Sequence, residues 1–229
     1  MQKNQINKTT LQFLKDLSTH NNRDWFNQKK EIYLQSQQNV CNFADDVIIK
    51  MSKHDQLENE SGKKSLFRIY NDIRFSKDKT PYNPRFAFSL SRATKHNRGG
   101  YYVHIKPRNN FLACGFFAPN PDDLKRIRLD IERNYKVWNK FLKSKNIKNN
   151  FGELKGDKVV TAPRGFSADH AAIELLRYKQ FILRHDFTDS QILSPTLSDE
   201  VNQIFKSVRP FFNYLSEVLT TNLNGESII

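Results

Sequence analysis

The chain has 229 residues, 38% of them hydrophobic and 12% aromatic, with 37 Lys+Arg against 24 Asp+Glu for a net charge of +13. That length holds one domain or two small ones around a sizeable core; the aromatic content excludes a disordered chain, and 8 Gly with 8 Pro exclude collagen-like and low-complexity classes. Two cysteines, Cys41 and Cys114, cannot build a disulfide framework or a four-ligand zinc site.

Met1–Thr10 reads as a polar tail without the apolar segment of a secretory signal, and no apolar run is long enough to cross a membrane, so a cytoplasmic protein without a membrane partner is expected. Leu11, Phe13, Leu14 and Leu17 then mark a short amphipathic helix, capped by Thr9 or Thr10. Asn21-Asn22 interrupts it. A longer helix is expected from about Arg23 to Lys53, with Phe26, Tyr33, Val40, Phe43, Val47 and Met51 on its apolar face and a break near the polar stretch 35–39. Residues 55–65 read as a surface loop.

The period then changes to two. In Leu66–Phe75 the odd positions Phe67, Ile69, Ile73 and Phe75 are expected to be buried, and Arg68, Tyr70, Asp72 and Arg74 to point outward from a strand. A helix also fits, because Leu66, Ile69, Tyr70 and Ile73 share a helical stripe. Phe86–Leu90, Tyr101–Ile105 and Phe111–Phe117 continue as strands, and short turn-forming separators favour an antiparallel meander. Asn120-Pro121-Asp122-Asp123 starts a helix whose apolar face runs from Leu124 to Leu142. Lys158–Ala162 is a short strand candidate, Asp169 can cap a helix through Lys179, and Gln180–Phe187 is extended. Ser198 caps a last helix to about Leu219, bent at Pro210.

Charge is not spread evenly. Residues 61–115 hold 12 basic and 2 acidic side chains with nine aromatics, whereas residues 170–229 hold 5 basic and 7 acidic. Basic groups interleaved with rings attract phosphates and offer stacking surfaces; a solvated basic surface over a buried aromatic core explains the same composition. If 66–75 is a strand, Arg68, Asp72 and Arg74 share a face, the turn beyond presents Lys77, Asp78 and Lys79 before Tyr82, and neighbouring strands add Arg85, Tyr102 and His104. Guanidinium groups grip phosphate or carboxylate through paired hydrogen bonds. An Arg–Asp–Arg ladder that merely holds strands together reads equally well.

Asp72 and Asp78 amid twelve basic residues make a poor cation site, so no metal is expected there. His104 is a candidate proton carrier, though a lone strand His is more often a packing residue. No P-loop, dinucleotide fingerprint, nucleophile elbow or zinc motif is present, and no cofactor is expected.

Several phrases resemble one family: Phe13-Leu14-x-x-Leu17, Asn21-Asn22-x-x-Trp25-Phe26, Tyr33, the run Arg68-Ile69-x-x-Asp72-Ile73-Arg74-Phe75-Ser76-Lys77-Asp78-Lys79-x-Pro81-Tyr82, Gly100-Tyr101-Tyr102, Pro163-Arg164-Gly165-Phe166 and Asp169-His170. Together they are similar to an uncharacterised family of bacterial and fungal proteins with a conserved domain of unknown function. The resemblance runs from about residue 11 to about residue 215. It implies one full-length domain and carries with it no reaction, cofactor or catalytic residue. Asn71 departs from the Arg more usual in that phrase.

The resulting expectation is an α+β fold: a mainly antiparallel sheet of about four strands over 66–117, packed by N- and C-terminal helices, in a single domain over 11–222. Its basic face is expected to bind a phosphate-bearing or otherwise anionic ligand, nucleic acid included, without catalysis. The alternatives are an enzyme for a small anionic substrate, with Arg68 and Arg74 as clamps and His104 or Asp72 in proton transfer, and a structural or interaction protein. Oligomeric state is left open.

Overall fold

A computed structural model of the chain describes residues 4–222 and 224–229; residues 1–3 of the expected polar tail lie outside the described residues. The elements are α1 (Lys8–Thr19), α2 (Arg23–Gln28), α3 (Lys30–Met51), α4 (Gly62–Ser65), β1 (Phe86–Ser91), β2 (Gly100–Ile105), β3 (Asn110–Phe116), α5 (Pro121–Arg133), α6 (Tyr135–Leu142), α7 (Lys145–Phe151), α8 (Ile173–Leu176), β4 (Phe181–Phe187), α9 (Asp189–Ile192), α10 (Leu197–Ser207) and α11 (Arg209–Thr220). The strands form one antiparallel sheet in the order β1-β2-β3-β4, so the fold is α+β. Among the described residues no helix is long and apolar enough to cross a membrane.

The sheet corrects one expectation. Its fourth strand is Phe181–Phe187, beside β3, and not Leu66–Phe75. Residues 66–75 pair with 82–88 only through isolated bridges, Leu66 with Phe88 and Tyr70 with Tyr82. The partner segment explains this. Pro84 lies in it and Pro81 stands directly before it; neither has an N–H to give, so a continuous ladder cannot form. The expected odd-face burial fails accordingly: Ile69 is buried, but Phe67 and Phe75 are exposed.

The chain divides into two compact units whose boundaries fall within the strands. The first comprises 1–90, 102–112 and 186–203. Its aromatic core joins Phe13, Phe26, Tyr33 and Phe86, with the rings of Phe26 and Tyr33 5.0 Å apart. The long helix expected over 23–53 breaks at Lys29 rather than at 35–39. The polar stretch stays helical because Asn39 finds partners outside the helix: its side chain accepts from Asn7 N (2.9 Å) and Thr10 Oγ1 (2.8 Å) and donates to Gln5 O (2.8 Å). Gly62 permits α4 to lie close against the Cys41 carbonyl of α3, where a Cβ would collide. Lys50 ties the last turn of α3 to Asp46 (3.1 Å), Asp199 (2.6 Å) and Ser198 (2.7 Å).

The second unit comprises 91–101, 113–185 and 204–229. Asn120 caps α5 by accepting from Asp123 N, with Pro121 in the first turn as the sequence predicts. The helix does not run on to 142. It stops at Arg133, turns at Asn134 and restarts as α6, which buries Trp138 against Phe181 and Phe211. Asp169 caps no long helix; the only helical turn there is Ile173–Leu176, because Arg177 and Tyr178 pair instead with 158–160. Lys158–Ala162 is accordingly a bridge to Tyr178 and not a strand. The last helix is two, α10 and α11, divided at Val208 with Pro210 in the first turn of α11. The missing N–H of proline costs nothing there. Cys41 and Cys114 are both buried free thiols, and burial raises the pKa of each.

Candidate functional site

The candidate site lies within the first unit and is built on a pinned loop. Phe67 N donates to Ala87 O (2.9 Å), Asn83 N to Ile69 O (2.7 Å) and Asn71 N to Pro81 O (2.9 Å). The Asn71 side chain donates to Thr80 O (2.9 Å) and accepts from the Asn83 amide. These bonds close the base of the loop. Its tip, 72–79, is largely exposed.

The tip charges are partly spent on each other. Arg74 meets Asp72 in a bidentate pair, Nε to Oδ1 at 3.0 Å and Nη2 to Oδ2 at 2.7 Å, and Arg74 N also donates to Oδ1 (3.2 Å). Those side-chain and backbone bonds, with a smaller contribution from the Arg68 charge, hold the Asp72 carboxyl below the usual carboxylate range. Both partners are exposed, so the pair adds little to stability. Asp78 accepts from Thr80 N (2.9 Å) and Thr80 Oγ1, a turn-forming Asx arrangement. Lys79 Nζ donates to Ile73 O (2.9 Å). Arg68 and Lys77 make no hydrogen bond or ion pair among the described residues.

A second group sits just before β1 and on β2 and β3. Arg85 Nη1 donates to Tyr102 Oη (3.2 Å), and Tyr102 Oη lies 3.1 Å from His104 Nδ1. Arg85 takes one lone pair of the phenol, and the Tyr102–His104 bond runs in the direction set by the histidine tautomer. The His104 ring stacks on Phe111 at 4.5 Å and 14°, and Phe67 lies 5.9 Å from the Tyr102 ring. Burial pushes the Tyr102 hydroxyl pKa up, against the lowering effect of Arg85.

Some of the predicted residues are brought together: Asp72 meets Arg74, and Arg85 meets Tyr102, which meets His104. Tyr82, expected among the ligand-facing residues, is 5% exposed, and its ring stacks on Phe26 at 3.9 Å and 11°. It is held inward by Asn21, whose side chain donates to Tyr82 O (2.8 Å) and accepts from Tyr82 N (3.1 Å). Sequence reasoning assigned the Asn21-Asn22 pair to a turn and missed this clamp. Asn22 caps α2 through Trp25 N (2.9 Å), which leaves the first Asn without a local task, and that surplus was the available signal. Among the described residues no group of three or more His, Cys, Asp or Glu side chains is placed to hold a metal ion.

The conserved hypothetical protein family DUF2461 has a model that matches residues 9–214. The chain belongs to that family. Its pinned loop, basic tip and Asn21 clamp are thus features of a DUF2461 chain, and all of them fall inside the matched span. No curated protein and no solved structure matches.

Proposed function

We propose that segment 66–80 binds single-stranded nucleic acid without catalysing a reaction on it. One observation carries the reading: Phe67, Tyr70 and Phe75 are 46%, 52% and 95% exposed in the same pinned segment as Arg68, Arg74, Lys77 and Lys79. A pinned base lowers the entropy lost when the tip is ordered by a ligand. Exposed rings beside cations suit a strand whose bases stack while its phosphates meet Arg68 and Lys77. Arg74 reaches a phosphate only by sharing with, or releasing, Asp72.

The experiment is a salt titration of the protein with fluorescent oligothymidylate. Binding should weaken as salt rises, with a log–log slope on the order of −2 to −3 for three or four phosphates. Phe75→Ala and Arg68→Gln should each lower affinity. Absent binding, or a salt-independent response, would remove nucleic acid from the reading. Equal competition by anionic phospholipid vesicles would reassign the rings to a membrane surface.

The Arg85–Tyr102–His104 chain favours a second reading, an enzyme for a small anionic substrate in which Arg85 holds charge and the Tyr–His pair moves a proton. That reading requires turnover lost in His104→Gln while oligonucleotide binding persists.

A further inference from the structure

The second unit contains a groove that the loop reading does not use. It lies between α5 and α11 and encloses about 520 Å³, within the size range of small-molecule sites. Positions 126, 129, 130 and 133 of α5 and 214, 217 and 218 of α11, with Thr221 just past its end, line it, one stripe of each helix. Leu129 and Val218 provide apolar wall. Arg126 and Arg133 stand about 10 Å apart along the α5 axis. Both are exposed, and neither makes a hydrogen bond or ion pair among the described residues.

The floor between them is fixed. Asp130 accepts from Trp138 Nε1 (2.7 Å), Tyr214 Oη (2.6 Å) and Asn134 Nδ2 (2.7 Å). Burial, and then Asp130 itself, push the Tyr214 hydroxyl pKa up, so that hydroxyl keeps its proton and gives it to Asp130. The Asn134 side chain works the other way and takes one lone pair of that hydroxyl, so Tyr214 Oη offers the groove a single acceptor site. Glu217 adds a second acceptor on the same wall.

Donor-rich cations at both ends and acceptors between them complement an anion that also carries hydroxyl groups. We infer that this groove binds a small organic phosphate bearing free hydroxyls, of the sugar phosphate class. The phosphate takes paired N–H bonds from Arg126 or Arg133. The hydroxyls donate to Tyr214 Oη and Glu217, and the less polar face of the sugar rests on Leu129 and Val218. Inorganic phosphate has no proton donors enough to use those acceptors and meets the negative charge of Asp130 and Glu217. A neutral sugar has nothing for the arginines to hold.

Isothermal titration of the full chain with ribose 5-phosphate, inorganic phosphate and ribose tests this. Ribose 5-phosphate should bind, with the other two weaker by about tenfold or more. Arg126→Gln and Arg133→Gln are exposed changes that keep the fold, and the one whose guanidinium holds the phosphate should weaken ribose 5-phosphate by about tenfold. Glu217→Gln should weaken it while leaving inorganic phosphate no weaker. No heat at millimolar ribose 5-phosphate, equal binding of inorganic phosphate, or binding that survives both arginine substitutions would overturn the assignment. Binding lost instead in Arg68→Gln or Arg74→Gln would place the anion on the 66–80 loop and likewise overturn it. Oligothymidylate binding is a separate outcome, since the groove and the loop share no residue.

Discussion

The side-chain amide of Asn21 holds the backbone of Tyr82 on both sides, donating to its carbonyl at 2.8 Å and accepting from its N–H at 3.1 Å across 61 residues of chain. The bridge to Tyr70 uses the Pro81 carbonyl and the Asn83 N–H, so the N–H and C=O of Tyr82 itself face away from 66–75, and Asn21 takes both. Asn21→Ala should therefore leave a buried residue's N–H and C=O without their partner. A loss of about 1–3 kcal/mol in urea unfolding is expected, with faster amide exchange in 66–83. Asn22→Ala should cost about 1 kcal/mol through the α2 cap and leave exchange in the loop unchanged. Equal exchange profiles for the two variants would refute the clamp.

A second contact is steric. Gly115 in β3 has φ of +144°, and a Cβ there would collide with the Phe181 carbonyl of β4. Gly115→Ala must distort either the φ or the strand pairing, and about 2–4 kcal/mol of lost stability is expected in thermal or urea unfolding. Gly152 is the control. Its φ of +69° is also left-handed, but open space surrounds it, so Gly152→Ala should cost only about 1–2 kcal/mol. Similar losses at the two sites would show that backbone conformation alone, not the close approach to β4, decides the cost.

These positions show what could be read from the residues and what could not. Local chemistry was legible: Asn120-Pro121 starts α5, Pro210 falls where two helices divide, and alternation marks β1, β2 and β3. Information carried by a distant partner was not. The 66–75 alternation has the period of a strand, but pairing also depends on the N–H groups of 81–85, two of which are absent. Polar 35–39 stays helical only because Asn39 is bonded to the chain before α1. Among the site residues, Arg68, Asp72 and Arg74 are exposed as the pattern implies, whereas the direction of Tyr82 was set by Asn21 and Phe26, far away in sequence. The α5–α11 groove had no sequence signal, since its two stripes lie about eighty residues apart and become one wall only on folding.

The loop reading separates stability from binding. Phe75 is 95% exposed and touches too little to hold the fold, so Phe75→Ala should change stability by no more than about 0.5 kcal/mol. If its ring stacks on a base, the same change should weaken oligothymidylate by about 1–3 kcal/mol. Tyr82→Ala is the converse. It empties a buried stack against Phe26 and should destabilise the unit by about 3–5 kcal/mol. A Phe75→Ala protein with unchanged stability and unchanged affinity would leave the exposed rings without the role proposed.

Tyr33 gives a prediction in pH. Its ring lies in the core beside Phe26 and Phe86, and burial first, then Tyr70 and Cys41, raise its hydroxyl pKa to about 12 from the ordinary value near 10. The folded state thus holds this proton more tightly than the unfolded chain does. Between the two values the native state binds more protons, so the stability contributed by the neutral hydroxyl is complete below about pH 10 and is lost as pH rises toward 12. Tyr33→Phe has no proton to lose. Urea unfolding of both proteins at several pH values from 8 upward should give curves that converge or cross in that window, the wild type falling by up to about 2 kcal/mol more than the variant. Groups that do not interact with Tyr33 act on both proteins and cancel in the difference; Cys41, which does, is removed from it by making both measurements in a Cys41→Ala background. Parallel curves would mean that the Tyr33 hydroxyl ionises as easily in the folded state as in water, and that the space around it is wetter than the packing of Phe13, Phe26 and Phe86 implies.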